Sequence, residues 1–545
     1  MTTEPAQDID AVTVSVIWNA LLSITEEMGT ALRNAAFSAA VREGDDFSTA
    51  LFDRQGRLIA QGNFAPGQLG AMPYVMQHIL EVYPASELAP GDGILLNDSA
   101  LGSGHFPDVY LICPVHRDGE LIGYSATIAH QVDVGGAAPG SQMVHGVTEA
   151  YQEGLRILPV RAVRNNRFDE AVLRLVLGNV RLPDVVRGDL LAQHGANLIG
   201  QRQLALLYAR HGAAVMEQTI EQILRHSERE MRERIAALPD GVYTFCDHID
   251  DFGPSTEAVR VAVKVTIKGS DIAFDFSESS DQVPAALNCY LNYTRAYCFF
   301  AVRIFAGLQI PQNSGAVRPI TVTAREGSFF NPVFPAPSGG RAIIQVRIFE
   351  AINGALAGVL PERAIAAFSH WSNPNIGGVD DRTGLPFVYY DLIMGGYGAT
   401  CDGDGIEAMA SVMNCANIPV EMHERSAPVR IRCLELMPGT GGDGQFRGGC
   451  GLRKDVELLT AQAKATLLGD RHRFAPYGLA GGEPGRVGET VLIRDGRETS
   501  VASKDVLVLQ RGDILSFRLS GGGGYGPPQL RAAADRARDA ELGLA

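Results

Sequence analysis

The sequence predicts a multi-domain α+β protein, and three observations predict it. Long stretches near the N-terminus carry helical periodicity. Residues 91–136 alternate short apolar strands with polar, glycine-bearing loops, and residues 435–525 are dense in glycine and short strands. At about 150 residues per domain, a chain of 545 residues makes three or four units. We place an N-terminal α/β unit with long helices at residues 1–240, a central α+β unit at 241–430, and a β-rich unit with a terminal helix at 431–545.

The elements follow in order. Across residues 12–42, apolar side chains recur every three or four positions through Trp18, Leu21, Leu22, Ile24, Met28 and Leu32, which reads as one long helix. A strand-turn-strand follows: residues 48–52, the turn Asp53-Arg54-Gln55-Gly56, then 58–60. Strands are expected at 94–96, 109–115 and 121–128, and a long amphipathic helix over 195–238, stopped by Pro239-Asp240-Gly241. Beyond that stop the period changes to two at 259–267 and 272–276, on either side of Gly269-Ser270, which reads as a hairpin. A helix over 293–307 and a Pro- and Gly-rich stretch from 310 to 340 come next. The terminal unit has strands near 466–468 and 491–493, a glycine run at 521–524 read as loop, and a solvated helix over 530–544.

Composition removes several classes of function. The formal net charge is −15, from 62 acidic against 47 basic side chains, with no basic run, so a nucleic-acid partner is not expected. No segment approaches the ~18 uninterrupted apolar residues of a membrane span. The start, Met1-Thr2-Thr3-Glu4-Pro5, lacks the basic and apolar segments of a secretory leader. The eight cysteines are scattered without a Cys-x-x-Cys pair, which reads as reduced thiols of a cytoplasmic protein and not as an Fe–S or Cys-zinc site.

Chemistry concentrates between residues 91 and 154. His105-Phe106-Pro107-Asp108-Val109 and His130-Gln131-Val132-Asp133-Val134 are two copies of His-x-x-Asp-Val, 25 residues apart, each at the edge of an expected strand. One such motif is common and is usually a surface pair or a satisfied buried hydrogen bond. Two copies beside glycines, where strands open into loops, put imidazoles and carboxylates in reach of a divalent cation. Asp133 and Glu153 are the catalytic candidates: each could orient His130, act as a general base or take another coordination position. The alternative for either is a carboxylate that caps loop amides. His194, His248, His423 and His472 lie outside the motifs and read as structural or exposed. Glu421 with Glu424 reads as a solvated pair, and Arg447-Gly448-Gly449 as a turn or an anion site.

Segments along nearly the whole chain resemble the hydantoinase B/oxoprolinase family. They include Asp46-Phe47-Ser48, the two histidine motifs, Gln152-Glu153-Gly154-Leu155, Arg187-Gly188-Asp189-Leu190, Ile310-Pro311-Gln312-Asn313-Ser314-Gly315 and Phe446-Arg447-Gly448-Gly449, in the family's order. The resemblance implies that Asp46, His105, Asp108 and His130 hold a divalent metal, zinc or manganese first, with iron or cobalt as alternatives. Asp45 stands beside Asp46, and the choice between them stays open here. The chain departs from the family's usual pattern at Ser99, Gly104 and Tyr290-Leu291, which leaves the ligands in place and bears on the substrate.

No Gly-x4-Gly-Lys-Ser/Thr loop exists to cradle phosphates, and Asp133-Val134-Gly135-Gly136 continues into Ala137-Ala138-Pro139 without the hydroxyl of an actin-like phosphate turn. The resemblance implies instead that ATP binds a separate actin-like A subunit in a hetero-oligomer such as A2B2. On that reading the chain is the metal-bearing subunit of an ATP-dependent hydrolase opening a cyclic amide: a hydantoin, N-methylhydantoin, oxoproline or lactam. The alternatives are a subunit of an ATP-dependent ketone carboxylase and a non-catalytic scaffold for the ATP-binding subunit.

Overall fold

A computed structural model describes residues 9–307, 310–409, 411–413 and 415–544. The N-terminal segment Met1-Thr2-Thr3-Glu4-Pro5, on which the reading of no leader rests, lies outside them. The architecture is α+β: the described strands form four sheets and the core divides into four apolar clusters. No described helix is long and apolar enough to cross a membrane.

The expected N-terminal helix is two helices, α1 (Ala11–Ala35) and α2 (Ala39–Arg42). Asp10 caps α1 by accepting from the Thr13 amide at 3.0 Å. The break follows from long-range capture: the Asp189 carboxylate accepts from the amides of Phe37 (2.7 Å) and Ser38 (3.1 Å), and Ser38 then caps α2 through the Val41 amide. A period along one helix cannot report a partner 151 residues away.

The strands β1 (Phe47–Asp53) and β2 (Leu58–Gln61) form the expected hairpin. A helix the periodicity did not reveal, α3 (Pro66–Val82), follows. Then come β3 (Gly93–Leu96), β4 (Asp108–Arg117), β5 (Glu120–His130), β6 (Val160–Arg164) and β7 (Arg167–Phe168). These seven strands make one sheet in the order β2-β1-β5-β4-β3-β6-β7. The short α4 (Glu170–Leu177) leads into α5 (Pro183–His211), which packs against α1 and across β4 and β5. The helix expected over 195–238 is α5 and α6 (Ala213–Ala236), separated at Gly212, whose φ of 81° ends a right-handed helix.

The second sheet, β11-β10-β9-β8, starts straight after Pro239-Asp240 with β8 (Gly241–Ile249), then β9 (Val259–Lys268) and β10 (Asp271–Asp275) across the predicted hairpin. After α7 (Leu291–Ala306), β11 (Ile320–Thr323) joins β10 in parallel, and α8 (Ile344–Leu356) packs on β8 and β9. The third sheet joins β12 (Asn375–Asp380) and β13 (Leu385–Tyr390), which precede residue 430, to β16 (Gln462–Thr466) and β19 (Val506–Gln510), which follow it. Between them run α9 (Val420–Ser426), β14 (Val429–Met437) and β15 (Gly451–Leu458). With β17 (Glu489–Arg494), β18 (Arg497–Val501) and β20 (Ile514–Arg518), the strands β14 and β15 make the fourth sheet, and α10 (Ala533–Leu542) ends the chain.

The glycine run 521–524 is the expected loop, without regular secondary structure, and it is buried. A Cβ at these positions would lie 2.1–2.3 Å from backbone carbonyls of Thr440, Tyr397, Tyr477 and Asp443. Backbones approach there too closely for any side chain.

Candidate metal centre

Three neighbouring strands bring the site together. Asp108 opens β4 and His130 closes β5, and the antiparallel register pairs these two residues directly. On the other side of β5, Phe47 of β1 pairs with Ala129, so Asp46, one residue earlier, arrives at the same sheet end, and its carbonyl accepts from the His130 amide at 3.0 Å. His105 sits in the turn leading into β4. Asp45, at φ 55°, turns away to an ion pair with Arg33 at 2.6 Å, so Asp46 is the aspartate that faces the histidines.

The contacts are close and buried. His105 Nε2 lies 3.1 Å and His130 Nδ1 3.3 Å from the same Asp108 oxygen, and His130 Nδ1 is 3.8 Å from Asp46 Oδ2. Donor atoms of His105, Asp108 and His130 all fall within 4.8 Å of one another. Their side chains are 1–2% exposed, against 16% for Asp46. Gln68 of α3 donates to Asp46 Oδ1 at 2.9 Å, and the Tyr390 hydroxyl donates to Oδ2 at 3.0 Å. Gln68 reaches in because α3 lies tight on α7: a Cβ at Gly70 would come 2.5 Å from Ala296.

These residues fit a cation. Burial, and then the Arg341 guanidinium, push the His105 imidazole down to about 4, so the ring is neutral near pH 7. Its Nδ1–H donates to the Gly339 carbonyl at 3.1 Å, which leaves the buried Nε2 lone pair 3.1 Å from an Asp108 oxygen and without a hydrogen bond to it. A backbone carbonyl that fixes the tautomer of a histidine in this way is the usual support of a metal ligand. Burial alone raises Asp108, but the charges around it, with Arg341 paired to its second oxygen, more than offset it and hold that carboxyl well below the usual carboxylate range; Asp46 is pushed up, mainly by burial. Mixed imidazole and carboxylate donors suit zinc, manganese, iron or cobalt.

Beside the four residues lies a cavity of about 30 Å³, lined among others by Asp46, Gln68, His105, Asp108, Arg341, Trp371 and Tyr390. Arg341, in the turn before α8, pairs with the second oxygen of Asp108 and donates to the Tyr293 hydroxyl at 2.9 Å.

The two catalytic candidates stand outside this cavity. Asp133 accepts from the amides of Gly135 (3.0 Å), Gly140 (3.1 Å) and Arg181 (2.8 Å) and pairs with the Arg181 guanidinium at 2.9 Å. Glu153 accepts from the Ser338 amide at 2.6 Å and from that of Gly339, the residue whose carbonyl orients His105. Both carboxylates cap loop amides, and Glu153 touches the site through one peptide unit. His423 is buried 3.1 Å from Asp391, and Arg447 is paired with Glu407 and Asp539.

Burial pushes Glu153 up from 4.5 to about 8. A carboxyl with a raised folded pKa holds its proton more tightly in the folded chain, so the fold loses stability as pH rises from 4.5 to 8, by up to about 1.4 kcal/mol per pH unit. Glu153→Gln removes this slope. Denaturant unfolding at several pH values is expected to give a flatter profile for the variant and a more stable variant at pH 8; parallel profiles would refute the assignment.

Comparison with known proteins gives a consistent picture. The family described as hydantoinase B/oxoprolinase matches residues 10–528. The B component of a putative D-/L-hydantoinase from Pseudomonas sp. (strain NS671) is 31% identical, over 96% of this chain and 91% of that one. The crystal structure of the ATP-dependent caprolactamase from Pseudomonas jessenii superposes with a TM-score of 0.91 at 30% identity, over 98% of this chain and 94% of that one. A nucleotide-free acetone carboxylase shares the fold, with a TM-score of 0.90 at 18% identity, over 98% of this chain and 78% of that one.

Proposed function

The chain belongs to the hydantoinase B/oxoprolinase family, and on that premise we propose that it is the metal-bearing subunit of an ATP-dependent hydrolase that opens a cyclic amide. The substrate class is a hydantoin, N-methylhydantoin, oxoproline or lactam. The partner is an actin-like, ATP-binding A subunit that phosphorylates the amide oxygen, in a cytoplasmic hetero-oligomer such as A2B2. The net reaction turns the ring amide, two waters and ATP into the ring-opened carboxylate and amine, ADP and phosphate. Coupling to ATP fits the chemistry, because resonance protects an amide carbonyl and opening an unstrained ring is nearly balanced.

The observation that carries the reading is the His105 lone pair held 3.1 Å from an Asp108 oxygen, with His130 and Asp46 around them. Asp46, His105, Asp108 and His130 would hold the ion. A divalent metal supplies a Lewis acid where negative charge develops on the reacting group. The chain's own residues do the rest. The Gly339 carbonyl keeps His105 in one tautomer, and Gln68 and Tyr390 fix the two Asp46 oxygens. Glu153 acts as a positioning residue by holding the turn at 338–339, and Asp133 shapes the loop that follows His130.

The test is co-purification with the A-type subunit, elemental analysis, and an ATPase screen over cyclic amides and over ketones with bicarbonate. Amide-stimulated ATP hydrolysis is expected from the complex and none from the isolated chain. Brisk ATP-independent ring opening by the chain alone would contradict the division of labour. Stimulation only by a ketone with bicarbonate would move the assignment to a carboxylase.

A further inference from the structure

We propose that Arg341 and Trp371 form a subsite for a small oxyanion, holding a charged oxygen of the substrate beside the metal ligands. The inference rests on the metal-site reading above and adds to it the chemistry of what binds there.

Both side chains line the cavity and both are nearly fully buried, Arg341 at 5% and Trp371 at 3% exposure. Each carries a buried N–H with no partner among the described residues, the Nε–H of Arg341 and the indole N–H of Trp371. Both groups can only donate. Buried donors are normally paired, so two orphans on one cavity point to an acceptor that arrives with the ligand. Gln345 Oε1, an acceptor on the same cavity, is already taken by the hydroxyls of Tyr293 (2.7 Å) and Tyr297 (2.5 Å).

The guanidinium is held ready for this use. Its two terminal nitrogens are occupied by Asp108 and Tyr293, and its centre lies 4.1 Å from the centroid of the Tyr293 ring, which fixes its plane. Gly104, at φ 91°, packs beside it: a Cβ there would sit 3.3–3.5 Å from Cγ, Cδ and Nε of Arg341. Charge agrees. With a divalent cation in place, the two carboxylates and one guanidinium leave the pocket with one positive charge in excess, which matches a singly charged oxyanion. A phosphoryl group, a carboxylate and bicarbonate share this chemistry.

The chain has two tryptophans, Trp18 and Trp371, so Trp18→Phe leaves Trp371 as the sole reporter. The full chain carrying Trp18→Phe, loaded with metal and assayed for metal content, is titrated separately with inorganic phosphate, bicarbonate and acetate while its fluorescence is followed. A saturable change is expected with at least one of them, and the anion that responds identifies the source. Arg341→Lys, which keeps a charge but loses the planar fork, is expected to weaken binding about tenfold. Trp371→Phe, followed by calorimetry, removes one donor, keeps the ring and weakens binding with metal content unchanged. No saturable response to any of the three anions, or undiminished affinity in Trp371→Phe, would overturn the subsite. A sample that takes up no metal would count against the metal reading alone; a saturable anion response in it would still support the two donors, and the overturning result is read on the metal-loaded chain, whose pocket carries the excess positive charge.

Discussion

Alanine at His105 is expected to strip the chain of its metal and to lower the amide-stimulated activity of the complex by a factor on the order of a thousand. The estimate follows from the several kcal/mol of charge stabilisation that a metal supplies, each 1.4 kcal/mol being about tenfold in rate. The loss is large because the site has few donors. Without His105, the Asp108 oxygen it faces keeps one imidazole, His130, besides the Gln68 amide at 3.4 Å, and the second Asp108 oxygen stays with Arg341 and Ser103. His130→Ala is expected to do the same, since His130 is the only one of the four that touches both carboxylates. Elemental analysis and kcat/KM on the purified complex check this, with thermal unfolding as a control for the fold. A variant that loses its metal but keeps its activity would leave only the scaffold role.

Arg347→Ala is expected to cost the fold about 3–5 kcal/mol, because removing one partner strands buried opposite charges. Arg347 is 0% exposed and pairs with Asp470 (2.6 Å), Glu350 (3.0 Å) and Asp247 (3.1 Å). Arg471 closes the cluster on Glu350 at 2.6 Å, and Lys504 reaches Asp470 at 3.2 Å. These residues come from β8, α8 and the segments that follow β16 and precede β19, so the cluster ties the central sheet to the C-terminal part of the chain. It also anchors α8, whose preceding turn carries Arg341. Denaturant unfolding should show the loss, with Arg347→Lys falling between the two; unchanged stability in Arg347→Ala would remove the cluster's structural role.

What the sequence made legible was local. The two His-x-x-Asp motifs stood out because their spacing is short and each borders an expected apolar strand; the register of β4 and β5 then pairs Asp108 with His130. Asp46 had no such signal, and only the family resemblance brought it in. Arg341, Gln68, Trp371 and Tyr390 went unnoticed because each reaches the site from a different segment. The sequence Ser338-Gly339-Gly340-Arg341 directly before an apolar helix was the one available hint. That helix, α8, went unnoticed as well: 11 of its 13 residues are buried, its polar stripe Arg347, Glu350 and Asn353 included, so it lacks the solvated face that marks a surface helix. In α3, Pro66, Pro73 and two glycines hid the pattern. The long helices were found but not their breaks, because Asp189 captures two amides across the fold and Gly212 turns left-handed.

X-ray absorption spectroscopy of the metal-loaded chain, wild type against His105→Ala, tests the central claim most directly. Two imidazoles and carboxylate oxygens are expected around one divalent ion in the wild type, and no stoichiometric ion in the variant. A first shell without imidazole, or one unchanged by the substitution, would place the metal elsewhere in the molecule and contradict the claim.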